Sequence, residues 1–320
     1  MNRLARSISL AAVFVAVVSG CSGSGNSPPN DNQSSGTISL SLTDGPWHDA
    51  GAMMLHITAV ELGHVDGHVV HLGLPGGGMG IDMMLLQNGI HRELMGQRQV
   101  PAGHYEWMRL ILDMSQSYVD MAQGGGRHGM HMGADTADGL VVHHPFEITE
   151  SAHHEFMLDY DLRLGLHHQH MGMMGDRFEL HSAMRMVHMN HAGGLMGVID
   201  PALIDVNHAD CDPAPGGNWA YLFPADAVGP DDIALDEVDG IPGPLATDRV
   251  EMNPATGDYY YHFAYLADGS YRIAFTCSGE WDESGDDDYP ADPDGLFDFQ
   301  MFSDPIDVVA GEMHRFDLVP

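Results

Sequence analysis

The chain has 320 residues, a length that suits two domains better than one. Apolar residues make up 44 %, enough to build a core, so the chain is not disordered overall. Twelve Arg and no Lys stand against 46 acidic residues, a formal net charge of −34. Such a charge repels phosphate backbones and excludes nucleic acid as a partner. It favours solubility, cation binding or life in salty water.

The chain opens on a basic segment with Arg3 and Arg6, then an apolar stretch, Ser7 to Val18, too short to span a bilayer. Residues 1–20 therefore read as a signal peptide. It ends in Val18-Ser19-Gly20-Cys21, which resembles the bacterial lipobox, in which the Cys is acylated and becomes the mature N-terminus. The alternative is an ordinary signal peptide with an incidental Cys. Ser22 rather than Asp follows, which in lipoproteins of this type implies export to the outer membrane. The expected address is the bacterial cell envelope, with the membrane as partner through a lipid on Cys21. Residues 21–36 are Gly/Ser/Pro-rich and carry no core-forming residue. They predict a flexible tether with a reach of roughly 20 Å.

From residue 37 onward the signals are those of strands. Thr37 to Thr43 alternates apolar and polar with period two, and Asp44-Gly45-Pro46 stops it. Leu55 to Leu62 alternates in the same way. His104 to Leu112, Glu147 to Ile148, Glu155 to Leu162 and Phe178 to Val187 follow, then Tyr259 to Tyr265, Ser270 to Thr276 and Arg315 to Val319. Met83 to Gln87 and Ile90 to Met95 predict short helical turns. The segments at 122–138 and 165–175 read as Gly-rich loops. Short strands between Gly, Pro and Asp turns predict an all-β chain of two β-sandwich domains in tandem. The boundaries are 37–192 and 195–320, cut at Gly193-Gly194. Residues 1–194 hold 19 of the 22 His and 19 of the 23 Met, whereas residues 195–320 hold 27 of the 46 acids. This asymmetry supports the cut.

With Cys21 assigned to lipid, Cys211 and Cys277 remain. An even pair in an oxidising compartment predicts a disulfide; the alternative is two unpaired thiols. No CxxC, CxxCH or Cys/His zinc spacing occurs, which removes c-type haem and the usual structural zinc modules.

One pattern occurs twice. Pro101-Ala102-Gly103-His104-Tyr105 is echoed by Ala267-Asp268-Gly269-Ser270-Tyr271, each a Gly turn followed by a Tyr opening a strand. It resembles the hairpin of prealbumin-like and carboxypeptidase-regulatory-like sandwiches. A longer series covers about residues 36–190. It comprises Gly36 to Pro46, Ile57 to Leu62, Leu85-Leu86-Gln87-Asn88-Gly89, Val100 to Tyr105, Met108 to Asp113, His144-Pro145-Phe146 and Leu158 to Arg163. Together these pieces resemble the bacterial lipoproteins carrying domain-of-unknown-function family 4382. The resemblance implies a second sandwich with a Cys pair and an acidic loop, which Cys211 to Val319 is similar to. It implies no activity and no catalytic residues. This chain departs from the family by its wealth of His and Met, including His181 where relatives often carry Lys.

Three chemistries are candidates. The first is soft-metal binding, above all copper (Cu+), by His128, Met130, His131 and Met132 in one segment and His167, His168, His170, Met171, Met173 and Met174 in another. Imidazole suits Cu, Zn and Ni, and thioether selects Cu(I). This reading requires the two segments to converge. The alternative is compositional: a chain without Lys places His on its surface, and Met fills core sites, as for Met83, Met84, Met108, Met184 and Met186. The second is calcium at the acids between Asp282 and Asp298, where hard cations find clustered oxygens. Asp292-Pro293-Asp294-Gly295 departs from an EF-hand loop because Pro290 and Met301 stand where its first Asp and last Glu belong, and solvated acidic surface is the alternative. The third is catalysis, for which Asp159 and Asp161 are a carboxylate pair at spacing two with no acid/base partner in sight. No Ser lies in a G-x-S-x-G elbow. The nineteen His of the first half would also charge together near pH 6–6.5, a consequence of composition.

The sequence thus predicts a noncatalytic cell-envelope lipoprotein, a binding module for a protein or polysaccharide. The alternative is a copper-handling lipoprotein.

Overall fold

The computed structural model of the chain describes residues 34–45, 47, 50–122, 126–170, 176–204, 217–234, 243–282 and 297–320. Residues 34–320 cluster as one compact unit. The signal peptide, Cys21, the tether to residue 33, Met171, Met173, Met174, Cys211 and acids 283–294 lie outside the described residues.

The first half runs β1 (Ser35–Gly45), β2 (Ala50–His64), β3 (Val69–Gly73), β4 (Met79–Asp82), β5 (Arg92–Pro101), β6 (Gly103–Leu112) and β7 (Tyr118–Met121). It continues with β8 (Gly126–Met132), β9 (Leu140–Val142), β10 (Phe146–Ile148), β11 (His153–Asp161), the one-turn helix α1 (Leu162–Gly165), β12 (Leu166–His170), β13 (Asp176–Leu180) and β14 (Met184–His188). One sheet has the order β14-β11-β1-β5, with β1 and β11 parallel. The other runs β10-β6-β2-β7-β8-β13-β12, with β3 and β4 on β2 and β9 on β6. Alternation decides which face is buried: Ile38, Leu40 and Leu42 are at most 1 % exposed, while Thr37, Ser39 and Ser41 between them are half-buried. They meet Leu55, Ile57, Leu62, Leu110 and Phe178 of the facing sheet in one core. Met83, Met108, Met184 and Met186 are buried there too.

A 3-10 turn at Met189–His191 leads into the second half. It comprises β15 (Ala192–Ile199), β16 (Trp219–Pro224), β17 (Ala246–Arg249), β18 (Glu251–Met252), β19 (Tyr259–Ala267), β20 (Gly269–Thr276), β21 (Met301–Phe302), β22 (Ile306–Val308) and β23 (Met313–Arg315). Sheets β18-β19-β15-β23 and β17-β16-β20-β21, the latter with β22 on β20, enclose a second core around Leu195, Leu222, Phe263 and Phe275. Gly193 and Gly194 lie inside β15. A Cβ on Gly193 would stand 2.5 Å from the Val309 carbonyl, so glycine is what lets the two segments approach. The chain is all-β, two sandwiches built of antiparallel and parallel pairs.

The repeated Gly-Tyr pattern has one geometry in both halves. Tyr105 Oη donates to the Pro101 carbonyl at 2.8 Å, and Tyr271 Oη donates to the Ala267 carbonyl at 2.9 Å. Gly103 has φ 152°, in the region glycine favours.

Three expectations are corrected. Ile90 to Met95 is not helical: from Arg92 it is strand β5, paired with β1. The segment Phe178 to Val187 is two strands in different sheets. The break at His181–Ala183 forms because Asp135 takes the Ser182 amide at 2.7 Å and His181 Nδ1 at 2.9 Å, and Thr136 Oγ1 donates to the Leu180 carbonyl at 2.7 Å. The Gly-rich segments at 122–138 and 165–175 contain strands β8 and β12, where ladder pairing outweighs the glycine content.

Candidate functional site

Strands β8 and β12 flank β13 in one sheet, β8 parallel to it and β12 antiparallel. The register sets Met130 and His168 on either side of Phe178, His131 and His167 on either side of Glu179, and Met132 and Leu166 on either side of Leu180. The two His/Met segments therefore come within two strand spacings of one another, roughly 10 Å. The Phe178 ring stacks on His168 at 4.5 Å and lies 5.5 Å from His128. His168 Nε2 is 3.3 Å from Asp176 Oδ1. Met130 is 4 % exposed and belongs to the core, and Met132 packs against it. Among the described residues, no group of three or more His, Cys, Asp and Glu side chains is arranged to hold a metal ion. His170 enters as a backbone partner of Asp176.

The sequence did not show that His154 and His188 pair. They are diagonal neighbours across β11 and β14, with Nδ1 and Nε2 at 3.2 Å. The Thr149 amide donates to the other nitrogen of His154 at 3.0 Å, and the Asn190 amide to the other nitrogen of His188 at 3.2 Å. Burial lowers the pKa of both rings; His153 lowers that of His154 further, and His154 and His191 lower that of His188. Both are therefore held neutral, and His188 caps the turn that leads into the second half.

The two halves are joined by charged and polar side chains. Asp161 accepts from the Arg163 and Leu164 amides at 3.0 and 3.2 Å, capping α1. It also accepts from the Thr247 amide at 2.6 Å, across to β17. Arg163 reaches from α1 into the second half, donating to Tyr221 Oη at 2.6 Å and to the carbonyl of Gly279, with its guanidinium 4.0 Å over the Trp219 ring. Tyr221 Oη donates to Asp282, whose other oxygen accepts from the Ile233 amide at 3.0 Å. Asp159 is paired with Arg185. Asp159 and Asp161 thus have structural partners. Burial raises the pKa of both, as it does that of Asp282.

Beside this junction lies a groove of ≈ 700 Å³. It is lined by the charged side chains of Asp135, Glu179 and Arg185, by His181, and by the apolar side chains of Leu164, Ile233 and Leu245. His181 stands between the carboxylates, Nδ1 2.9 Å from Asp135 and Nε2 3.6 Å from Glu179. Nothing local in the sequence marks this groove, because its walls come from segments far apart in the chain. The volume falls within the range of roughly 300–1,000 Å³ typical of ligand pockets.

Residues 35–175 match the family described as Domain of unknown function (DUF4382). No curated protein matches the chain. Among solved structures it is similar to GBS52, the minor pilin of Streptococcus agalactiae, at 8 % identity over 88 % of this chain and 97 % of that one, with a TM-score of 0.20. It is also similar to a candidate adhesin of Bacteroides ovatus ATCC 8483, at 10 % identity over 81 % and 84 % of the two chains, with a TM-score of 0.19. Likenesses this slight carry no argument about what the chain does.

Proposed function

We propose that this chain, which carries the DUF4382 domain over residues 35–175, is a noncatalytic binding module of the bacterial cell envelope, anchored by a lipid on Cys21. The groove beside the junction of the two sandwiches carries this reading. It is large enough for a segment of a polymer, is lined by both charged and apolar side chains, and holds Asp135, His181 and Ser182 in hydrogen bonds. Its carboxylates and the net charge of −34 favour a basic protein segment or a hydroxyl-rich polysaccharide. The Gly/Ser/Pro-rich composition of residues 21–36 fits a tether that lets the module reach such a partner from the membrane. The test is retention of soluble residues 22–320 on an array of envelope polysaccharides and basic peptides. Saturable binding to a defined subset supports the reading; uniform, salt-sensitive adsorption opposes it.

A copper-handling role is the second reading. The convergence of β8 and β12 on β13 favours it, since His128 and His168 both pack on Phe178. A Cu(I) titration against a competing chelator, beside a variant with the His and Met of both segments replaced, tests it. Saturable binding well below micromolar that the variant loses supports copper handling. Weak graded binding that the variant retains means that the His and Met are composition.

A further inference from the structure

The groove beside the junction meets the edge of a sheet. β14 stands at one end of the order β14-β11-β1-β5, and among the described residues no strand pairs with its other side. Met184 and Arg185, at the start of β14, line the groove. The Asp161 amide donates to the Ala183 carbonyl at 3.0 Å, and Tyr160 and Leu158 stand opposite Met184 and Met186. Hydrogen-bonded and non-hydrogen-bonded pairs alternate along an antiparallel ladder. Ala183, Arg185 and Val187 therefore turn their backbone groups toward β11, whereas Met184 and Met186 turn theirs toward the unpaired edge. The side chains of both Met lie in the first core, which fixes the position of this edge. An edge of this kind is a template for an added strand.

The side chains of the groove select what is added. Asp135 is exposed and Glu179 half-buried. Glu179 is shared with the exposed Arg177 at 2.8 Å, a surface pair that exchanges at little cost. Arg185 is the only guanidinium among the described lining residues, and Asp159 already pairs with it. Leu164, Ile233 and Leu245 supply apolar contact. None of the described lining residues is Phe, Tyr or Trp, the rings on which sugars stack. The net charge of −34 attracts a cationic chain and repels a second copy of this one.

We propose that the partner is an extended basic peptide that adds as a strand to β14, an inference that rests on the groove being the binding surface. Alternate side chains of a strand point to opposite faces. One set, basic, meets Asp135 and Glu179; the other, aliphatic, meets Leu164, Ile233 and Leu245.

The test is fluorescence anisotropy of a labelled peptide of alternating arginine and leucine, titrated with soluble residues 22–320 at about 150 mM salt. Two further probes carry backbone N-methyl groups, one on the arginine nitrogens and one on the leucine nitrogens. Only one of these sets can face the edge, so the parent peptide should bind saturably and one methylated probe should bind roughly tenfold more weakly than the other. Asp135→Asn should weaken the parent peptide roughly tenfold. Should D135N fail to fold, Glu179→Gln should still weaken it severalfold. No binding of the parent peptide, equal binding of the two methylated probes, or an affinity unchanged in both D135N and E179Q overturns the proposal. An envelope polysaccharide that binds saturably where this peptide does not would leave the groove reading standing and remove the peptide as its occupant.

Discussion

The Arg163 guanidinium lies 3.6 Å from the Asp282 carboxylate, joining a one-turn helix of the first sandwich to the segment that follows β20 in the second. The side chains are 9 % and 0 % exposed. A fixed charge pair in such a place is supported by its other partners: Trp219 beneath the cation, Tyr221 donating to the carboxylate and the Ile233 amide donating to its second oxygen.

Removing the cation alone leaves Asp282 buried without its counter-charge. Arg163→Ala should cost about 3–5 kcal/mol in urea unfolding at pH 7. Arg163→Lys keeps the charge but loses the planar fork over Trp219, and should fall between Ala and the native residue. An Ala variant within about 0.5 kcal/mol of the native chain would contradict the role given to this pair.

The two tyrosine corners should behave alike. Tyr105→Phe and Tyr271→Phe each delete one hydroxyl donated to a carbonyl four residues earlier. Each should cost about 0.5–1.5 kcal/mol, measured by equilibrium unfolding, with the two effects adding because the sites lie in separate cores.

The pH dependence follows from the buried acids of the junction. Burial raises Asp44 and Asp248 well above the ordinary value of 3.8, with Asp161 adding to both. A raised carboxylate stabilises the fold fully below 3.8, and that contribution is lost as pH climbs through the raised values. Stability should therefore fall from pH 4 toward neutrality on this account, and Asp44→Asn with Asp248→Asn should flatten that fall. His154 and His188 act in the opposite sense. Their lowered values give stability that is present above the ordinary 6.5 and lost as pH falls through the lowered values. His154→Asn with His188→Asn should remove that acid-side loss, read from unfolding midpoints across pH 4–8.

Cys277 is 1 % exposed at the end of β20, and its proposed partner Cys211 lies outside the described residues. Thiol titration of unfolded residues 22–320 should find no free thiol, and Cys211→Ala should expose one and cost about 2–4 kcal/mol. Two titratable thiols in the native sequence would contradict the pairing.

Much of the fold was legible because a half-buried strand writes its face into the sequence. Ile38-Ser39-Leu40-Ser41-Leu42 can be read in only one register, and the Gly103-His104-Tyr105 turn appears again at 269–271. Strands β8 and β12 were not legible. Their His, Met and Gly residues carry no clear apolar alternation, and pairing makes them strands, β8 with β7 and β13 and β12 with β13. Asp159 and Asp161 stood out by spacing, yet their roles are set by Arg185 and Thr247, which local sequence does not reveal. Asp44 read simply as the residue that stops β1. Its buried oxygen becomes visible only when β11 and β17 close over it. The junction pair is separated by 119 residues, and no local pattern links Arg163 to Asp282.

The most direct test of the account is to change the groove without touching the cores and to measure binding on the polysaccharide and peptide array. Leu245 lines the groove at 38 % exposure, whereas Val65 is 52 % exposed in the turn after β2 and is not among the groove's lining residues. If the groove is the binding surface, Leu245→Glu should abolish the saturable binding shown by residues 22–320, and Val65→Glu should leave it intact at unchanged stability. Binding that survives L245E, or that both variants lose equally, would contradict it.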